Sequence, residues 1–217
     1  MNDLLEKISL FEELEPHERE ALSHRLTIRH FPKNTFVILD GDHSDSLYII
    51  LEGKIKVFLS DDTGKEVILS YQGPGEYFGE MSLLDELPRS ASVVTLQSSK
   101  IAVLSKQDFM HCIVEHPNIA MSIIKHLSIR LRTLTEKVKN LALMDVYGRV
   151  THTLLDLSEP QDGGRVVKEP LTQQELANLV GASREMVTRI LKDLTTGGYI
   201  NIKNKQITIK EKLPLNW

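Results

Sequence analysis

Thr172–Ile209 reads TQQELANLVGASREMVTRILKDLTTGGYINIKNKQITI, and this stretch decides the C-terminal fold. Thr172 and Glu175 stand three residues apart ahead of an apolar run. That is the spacing of a capping box, in which each side chain satisfies the other residue's backbone N–H. The helix they open, over Gln173–Val180, stops at Gly181, whose missing Cβ suits the turn. Ser183 caps a second helix, Arg184–Leu194, which ends at Gly197-Gly198. Ile200/Ile202 and Ile207/Ile209 alternate around Lys203-Asn204-Lys205-Gln206, the pattern of a β-hairpin. Helix, glycine turn, helix and hairpin in this order predict a winged helix-turn-helix.

Immediately before it, Asp145–Leu157 (DVYGRVTHTLLDL) is amphipathic and Ser158–Gly164 reads as a loop. Further upstream, Ile124, Leu127, Leu131, Leu134, Val138 and Leu141 are spaced 3, 4, 3, 4, 3, an a/d seam. The helix carrying them is expected from near Pro117 to near Asn140, about 35 Å long at 1.5 Å per residue. It can pack on its own N-terminal domain, but so narrow a stripe favours a coiled-coil partner. With one such helix in the chain, a second copy is the expected partner. Upstream of Gln107 the apolar period is two. Phe36/Ile38, Ile55/Val57/Leu59 and Val67/Leu69/Tyr71 alternate, and Ser46–Leu51, Ser92–Gln97 and Lys100–Leu104 are further strand candidates. Turn signals at Asp40-Gly41-Asp42, Glu52-Gly53, Asp61–Gly64 and Gly73-Pro74-Gly75 separate them. Many short strands at close spacing predict a sandwich, barrel or jelly roll. The first thirty residues read as helical, from Leu4, Leu5, Ile8 and Phe11 and then Ala21, Leu22 and Leu26 after Pro16.

Composition sets the outer bounds. A chain of 217 residues, 41% hydrophobic and 26% charged, is long enough for a core without disulfides or structural metal. Its one cysteine, Cys112, excludes a disulfide framework and any all-cysteine metal cluster within one chain. No apolar run approaches a membrane span, and MNDLLEKISLF lacks the cationic start of a signal peptide, so a cytoplasmic protein without membrane contact is expected. Net charge is −4, unevenly divided: residues 145–217 carry ten Lys/Arg against nine Asp/Glu, residues 1–144 sixteen against twenty-one. The C-terminal third is the one place composition allows for a polyanion.

Two motifs carry chemistry. Phe78-Gly79-Glu80-Met81-Ser82-Leu83-Leu84 is followed by Pro88-Arg89-Ser90-Ala91-Ser92-Val93, with Arg89 nine residues after Glu80. This pattern resembles the phosphate-binding cassette of cyclic-nucleotide-binding domains. Gly64–Tyr71, Thr172–Lys192, Glu136-Lys137-Val138 and Asn140-Leu141-Ala142 are similar to the cyclic AMP receptor type of the CRP/FNR superfamily. The resemblance runs from about Leu10 to Ile209. It implies an α+β protein: a cyclic-nucleotide-binding β jelly roll over 1–116, a dimerisation helix and hinge over 117–144, and a winged helix-turn-helix over 145–217. A cyclic phosphodiester needs a cation and converging backbone donors. Arg89 offers a planar fork for phosphate, Gly79 close backbone approach, and a turn beginning at Glu80-Met81 can aim N–H groups at an anion. The resemblance gives Glu80 to a ribose hydroxyl and Ser90 to the phosphate, with Val57 and Leu69 in the same pocket. Without a ligand, Glu80 and Arg89 could instead close a loop as an ion pair.

On the long helix, purine-contacting relatives place two adjacent hydroxyl residues; here the pair is Leu134-Thr135. Thr135 keeps a donor and acceptor, whereas Leu134 falls on the seam, removes a base contact and strengthens helix packing without ligand. Cyclic AMP is the first choice of effector. Cyclic GMP, a cyclic dinucleotide such as cyclic di-GMP, or a regulator that is DNA-competent without nucleotide stand behind it.

The second motif is Ser183-Arg184-Glu185-Met186-Val187-Thr188-Arg189. Arginine can read guanine O6/N7 and glutamate can accept from cytosine N4 in the major groove. A recognition helix presents its N-terminal residues to base edges. Such a run can also be a solvated helix face, but the flanking capping box, turn and hairpin fit the DNA reading. The resemblance implies a homodimer on double-stranded DNA, at a palindrome with TGTGA-like half-sites read by Arg184, Glu185 and Arg189. Ser183 and Thr188 belong to the same surface, Thr172 and Gln173 are expected at phosphates, and RNA polymerase is the expected protein partner. His111, Cys112, Glu115 and His116 straddle what reads as a helix start, where i and i+1 do not share a face, so no metal site is expected. No nucleophile elbow, Walker loop or His-Glu-x-x-His occurs, which argues against an enzyme.

Overall fold

The computed structural model describes residues 5–6, 8, 10–12, 14–161, 163–210 and 212–214. Leu4, placed by its spacing in an N-terminal helix, lies outside the described residues, as does Asp162 of the expected loop. The chain divides into two compact units: Met1–Asp61 with Ile68–Arg130, and Asp62–Val67 with Leu131–Trp217.

The first unit is built from α1 (Pro16–Ser23), β1 (Thr27–Phe31), β2 (Phe36–Ile38), β3 (Ser46–Glu52), β4 (Ile55–Ser60), β5 (Glu66–Gln72) from Ile68 onward, β6 (Tyr77–Phe78), α2 (Met81–Asp85), β7 (Ser92–Thr95), β8 (Ser99–Ser105), α3 (Lys106–Glu115) and the start of α4 (Pro117–Leu143). Its strands form two four-stranded sheets, ordered β1-β8-β3-β6 and β2-β7-β4-β5. This is the expected jelly roll. The alternation along β3 and β8 shows why it forms. Tyr48, Ile50, Ile101 and Val103 face Ile38, Ile55 and Val93 of the other sheet. Their neighbours Leu47, Ile49, Leu51, Ala102 and Leu104 face the helices, against Phe109, Ile119 and Ile123. A period of two thus serves two cores at once, each fully buried Leu or Ile contributing roughly 1.5–3 kcal/mol.

One expectation is corrected here. Residues 27–30, read as the end of a helical region, belong to the strand Thr27–Phe31, paired antiparallel with β8, Thr27 opposite Val103 and Phe31 opposite Ser99. The apolar spacing around Leu26 is compatible with a helix, but pairing to an open sheet edge overrides it.

The second unit contains the rest of α4, then α5 (Val146–Asp156), β9 (Ser158–Gln161), β10 (Gly164–Val167), α6 (Gln173–Val180), α7 (Arg184–Thr196), β11 (Ile200–Lys203) and β12 (Gln206–Ile209). Its four-stranded sheet is ordered β11-β12-β10-β9. The stretch expected as a loop over Ser158–Gly164 instead begins an antiparallel hairpin, with Pro160 opposite Arg165 and Ser158 opposite Val167. Proline is tolerated because β9 is the edge strand and needs no donor on its open side. The core joins Val150 and Leu154 of α5, Leu176, Ala177 and Val180 of α6, Val187, Ile190, Leu191 and Leu194 of α7, and Ile200, Ile207 and Ile209 of the hairpin.

The long helix α4 has 27 residues, somewhat more than expected, and ends at Leu143. Asp145 caps the next helix by accepting from the Gly148 N–H, so the chain breaks helix at Met144-Asp145. Of the seam residues, Leu127 packs against the first core. The other five, Ile124, Leu131, Leu134, Val138 and Leu141, are between 43% and 66% exposed.

Candidate functional site

The cassette is assembled around one arginine. β6 delivers Gly79 and Glu80 to the start of α2, where the Leu83 and Leu84 N–H groups both donate to the Glu80 carbonyl. The Arg89 backbone is tied to the loop after β2, its N–H donating to Asp42 O and its carbonyl accepting from Gly41. Its side chain turns inward and is only 3% exposed. Nη1 donates to Gly79 O at 2.6 Å, and Nη2 to Ser46 O at 2.7 Å and Ser44 Oγ at 2.8 Å. The guanidinium also stands 5.7 Å from the centre of the Tyr48 ring. Gly79 makes this possible: its φ is +85°, and a Cβ there would come within 2.6 Å of Arg89 Nη1.

The charge of Arg89 is not neutralised. Among the described residues no carboxylate pairs with it, and its buried Nε has no hydrogen-bond partner. Burial pushes the guanidinium pKa down, opposed by Tyr48 and by the charges of Glu80 and Asp45. A buried cation held only by neutral carbonyls and a hydroxyl is costly unless an anion joins it.

Glu80, 2% exposed, does not close a loop with Arg89. It accepts from Arg130 Nη1 at 2.6 Å, while Arg130 Nη2 donates to Tyr77 O at 2.7 Å. Arg130 also lies over the Tyr77 ring, 5.2 Å from its centre. His126, one helical turn before Arg130, stacks on the same ring at 5.6 Å and 13°. Burial pushes the Tyr77 phenol pKa up, and among the described residues its hydroxyl has no hydrogen-bond partner. Burial, with Arg130 and Lys125 nearby, pushes His126 down. Glu76, Tyr77, His126, Ile129 and Arg130 line a cavity of about 210 Å³.

Of the other expected pocket residues, Ser90 is exposed and its hydroxyl donates to Met81 Sδ at 3.9 Å. Val57 packs partly buried on the inter-sheet core, and Leu69 is half-buried. Leu134 and Thr135 are counted with the second unit and are exposed; the Thr135 hydroxyl donates back to Leu131 O at 2.9 Å.

In the second unit the expected capping box is present. Thr172 Oγ1 accepts from the Glu175 N–H at 3.1 Å, and Glu175 accepts from the Thr172 N–H at 2.8 Å. Gly181 closes α6 at φ +65°, in the left-handed region that a branched residue avoids. Ser183 caps α7 by accepting from the Met186 N–H. Along α7, Val187, Ile190, Leu191 and Leu194 are buried, while Arg184, Glu185, Thr188 and Arg189 are exposed. Gln173 Oε1 accepts from Thr188 at 2.8 Å, joining the two helix starts. Among the described residues, no side chain pairs with Arg184, Glu185 or Arg189. Lys203 and Lys205 are exposed at the wing.

Residues 28–116 match the cyclic nucleotide-binding domain family, and residues 148–214 the Crp-like helix-turn-helix domain family. The chain is 34% identical over 215 residues to the CRP-like cAMP-activated global transcriptional regulator of Mycobacterium tuberculosis, covering 97% of this chain and 96% of that protein. It belongs to the CRP/FNR family. It is 37% identical over 194 residues to the cAMP-activated global transcriptional regulator CRP of Salmonella typhimurium, covering 87% and 91% of the two chains. The structure of the c-di-GMP responsive global regulator CLP of Xanthomonas campestris resembles it with a TM-score of 0.81 at 30% identity, covering 91% and 100%. Like its CRP/FNR relatives the chain is a transcription regulator and not an enzyme, with a cyclic nucleotide-binding domain and a DNA-binding helix-turn-helix.

The cluster His111, Cys112, Glu115 and His116 requires a correction. It sits at the end of α3 and not at a helix start. His111 pairs with Glu115 at 3.1 Å, His116 with Glu18 at 2.9 Å, and Cys112 is buried with its thiol pKa pushed up by burial. Among the described residues no group of three His, Cys, Asp or Glu is placed to hold a metal, and no helix is long and apolar enough to cross a membrane.

The residues that sequence reasoning missed are Arg130, Tyr77 and His126, with Ser44 and Ser46 beneath Arg89. A signal for Arg130 existed. It lies seven residues after Ile123 and eleven after Ile119, on the stripe of α4 that the first core buries.

Proposed function

We propose that this chain acts in the cytoplasm as a homodimeric, cyclic-nucleotide-controlled regulator of transcription, with cyclic AMP the first-choice effector. The observation that carries the reading is the buried, un-neutralised Arg89 with its unpartnered Nε beside the Gly79 turn. A cyclic phosphate supplies one negative charge and oxygens that accept N–H bonds, which is what that site lacks. Ser90 adds a hydroxyl donor at the same loop, and the sugar hydroxyl goes to Glu80.

The exposed apolar seam of α4 supports pairing with a second copy through residues 117–141. The dimer places two α7 helices on one palindrome with TGTGA-like half-sites. Arg184, Glu185 and Arg189 read bases there, and Thr172 and Gln173 hold phosphates. The hinge lies at the helix break near Met144-Asp145, and nucleotide shifts the helix pair toward a spacing of one DNA turn, about 34 Å. RNA polymerase is the protein partner on DNA.

Leu134 favours a second reading, a regulator whose helices are already arranged for DNA or whose pocket takes cyclic di-GMP, to which the Xanthomonas regulator responds. Calorimetric titration with cyclic AMP, cyclic GMP and cyclic di-GMP separates the two. The first reading expects saturable heat with cyclic AMP at one site per chain. No heat with any of the three overturns nucleotide control.

A further inference from the structure

Within the second unit, one side chain bridges the helix break at Met144-Asp145. Arg149, the fourth residue of α5, donates from Nη1 to Met144 O and from Nε to Val180 O, each at 2.8 Å. Both acceptors are carbonyls of the kind a helix leaves over at its C-terminal end. The Met144 N–H still donates into the ladder of α4, to Asn140 O, and Val180 is the last residue of α6. A cation placed where two such ends converge meets the negative ends of both helix dipoles. Among the described residues no carboxylate pairs with Arg149. A second contact joins the same parts. A Cβ on Gly181 would stand 3.3 Å from Leu141 Cδ2, so the last turn of α4 abuts the turn between α6 and α7. Val180 itself lies four residues before Arg184, the first residue of α7.

We infer that Arg149 is a positioning residue for DNA recognition: it fastens the α6–α7 turn to the end of α4, so the break is an elbow held at a set angle and not a free swivel. A movement of α4 is thereby passed to α7. The inference rests on the DNA-binding dimer proposed above and deepens it, because two recognition helices fit one palindrome only at the spacing their mountings allow. Arg149 itself touches no DNA in this account. A planar fork is needed because one cation must meet two carbonyls in different fixed directions, whereas an ammonium can hold only one of them well. Without the fork each winged domain still presents its own recognition helix. The second half-site is then engaged from a loose tether, and the dimer no longer distinguishes one spacing from another.

The test measures binding of the full chain, with cyclic AMP present, to three duplexes, for wild type, Arg149→Met and Arg149→Lys. One duplex carries a single TGTGA half-site, and one carries two inverted half-sites a DNA turn apart. In the third the pair is moved two base pairs further apart, which turns one half-site about 70° around the duplex. A fixed elbow predicts that wild type prefers the one-turn spacing over the shifted pair by roughly tenfold or more. In Arg149→Met the preference falls to about threefold or less, while single half-site affinity stays within about twofold of wild type. Arg149→Lys, holding one carbonyl, gives an intermediate preference, a partial rescue that a merely structural role would not produce. An undiminished spacing preference in Arg149→Met, or none in wild type, overturns the inference and leaves DNA binding standing. Half-site affinity lost in step with the palindrome overturns it as well, since Arg149 would then shape the recognition helix itself. If Arg149→Met does not fold, Arg149→Lys decides alone, and an undiminished preference there overturns the inference. A wild type that binds all three duplexes no better than random DNA overturns the half-site reading and this inference together.

Discussion

Two sets of arginines mark the two units of this chain, and their surroundings are opposite. Arg89 is sealed in the first unit among two carbonyls and a hydroxyl, with its charge unmatched and its Nε idle. Arg184 and Arg189 stand in solvent on α7 with no side-chain partner among the described residues. The difference lies in where the cost of the charge is met. A buried guanidinium is desolvated by folding itself, so the protein bears that cost before a ligand arrives and an anion recovers it. An exposed guanidinium stays hydrated until it meets a groove, so its contribution is realised at binding and depends on salt and base identity. A preorganised cage suits a small, singly charged ligand of fixed shape, and a free fork suits a long polyanion.

The largest effect is expected at the buried end. Arg89→Ala should weaken cyclic nucleotide binding by roughly 2–5 kcal/mol, because a desolvated phosphate loses its charged partner. The proposed dimer should persist, which sedimentation can check. Equal nucleotide affinity in the variant would remove the contrast from that side.

At the exposed end the effect is smaller and of a different kind. Arg184→Ala and Arg189→Ala should each cost about 1–3 kcal/mol on the specific duplex and relax discrimination at one symmetric base position. Lys203→Ala or Lys205→Ala, at the wing, should weaken every duplex alike and lower the salt slope by about one. Binding assays on specific and random duplexes across a salt series distinguish them. Equal losses on both duplexes for the arginine variants would refute base reading.

The smallest effect concerns how the two ends communicate. In the proposed dimer Leu134 packs against its symmetry mate with or without ligand, so the arrangement suited to DNA should already be populated. Coupling between nucleotide and DNA should then fall below the roughly 1–3 kcal/mol usual for an allosteric switch. Leu134→Thr should raise it, with tighter purine nucleotide binding and DNA affinity that depends more on nucleotide. A wild type that is silent alone and gains about a hundredfold on DNA with cyclic AMP would contradict this.

Much of this contrast was legible from residues, for reasons that differ by region. The winged domain announced itself through local devices that act within four residues: Thr172 with Glu175, Gly181, and Ser183 with Met186. The jelly roll was legible from the period of two along β2, β4 and β5; β3 and β8, buried on both faces, read instead as short apolar runs. What escaped depends on distant partners. β1 is a strand because β8 offers an edge to Thr27–Phe31. Likewise β9 tolerates Pro160 because its outer side is unpaired. In the site, Gly79, Glu80 and Arg89 were found through their resemblance to the phosphate-binding cassette. The same pattern also allowed an ion pair between Glu80 and Arg89, and only the arrival of Arg130, fifty residues on, shows why that pair does not form. An arginine on an amphipathic helix carries no mark of what it will meet across the fold.

The central claim, that the two sets of arginines serve different anions, is tested most directly by a crossed measurement on single preparations. Cyclic AMP affinity by calorimetry and affinity for the specific duplex without nucleotide are each measured for wild type, Arg89→Ala and Arg184→Ala. The account predicts that Arg89→Ala loses nucleotide affinity while keeping its unliganded DNA affinity, and that Arg184→Ala does the reverse. Nucleotide binding unchanged in Arg89→Ala, or lost in Arg184→Ala, would contradict it.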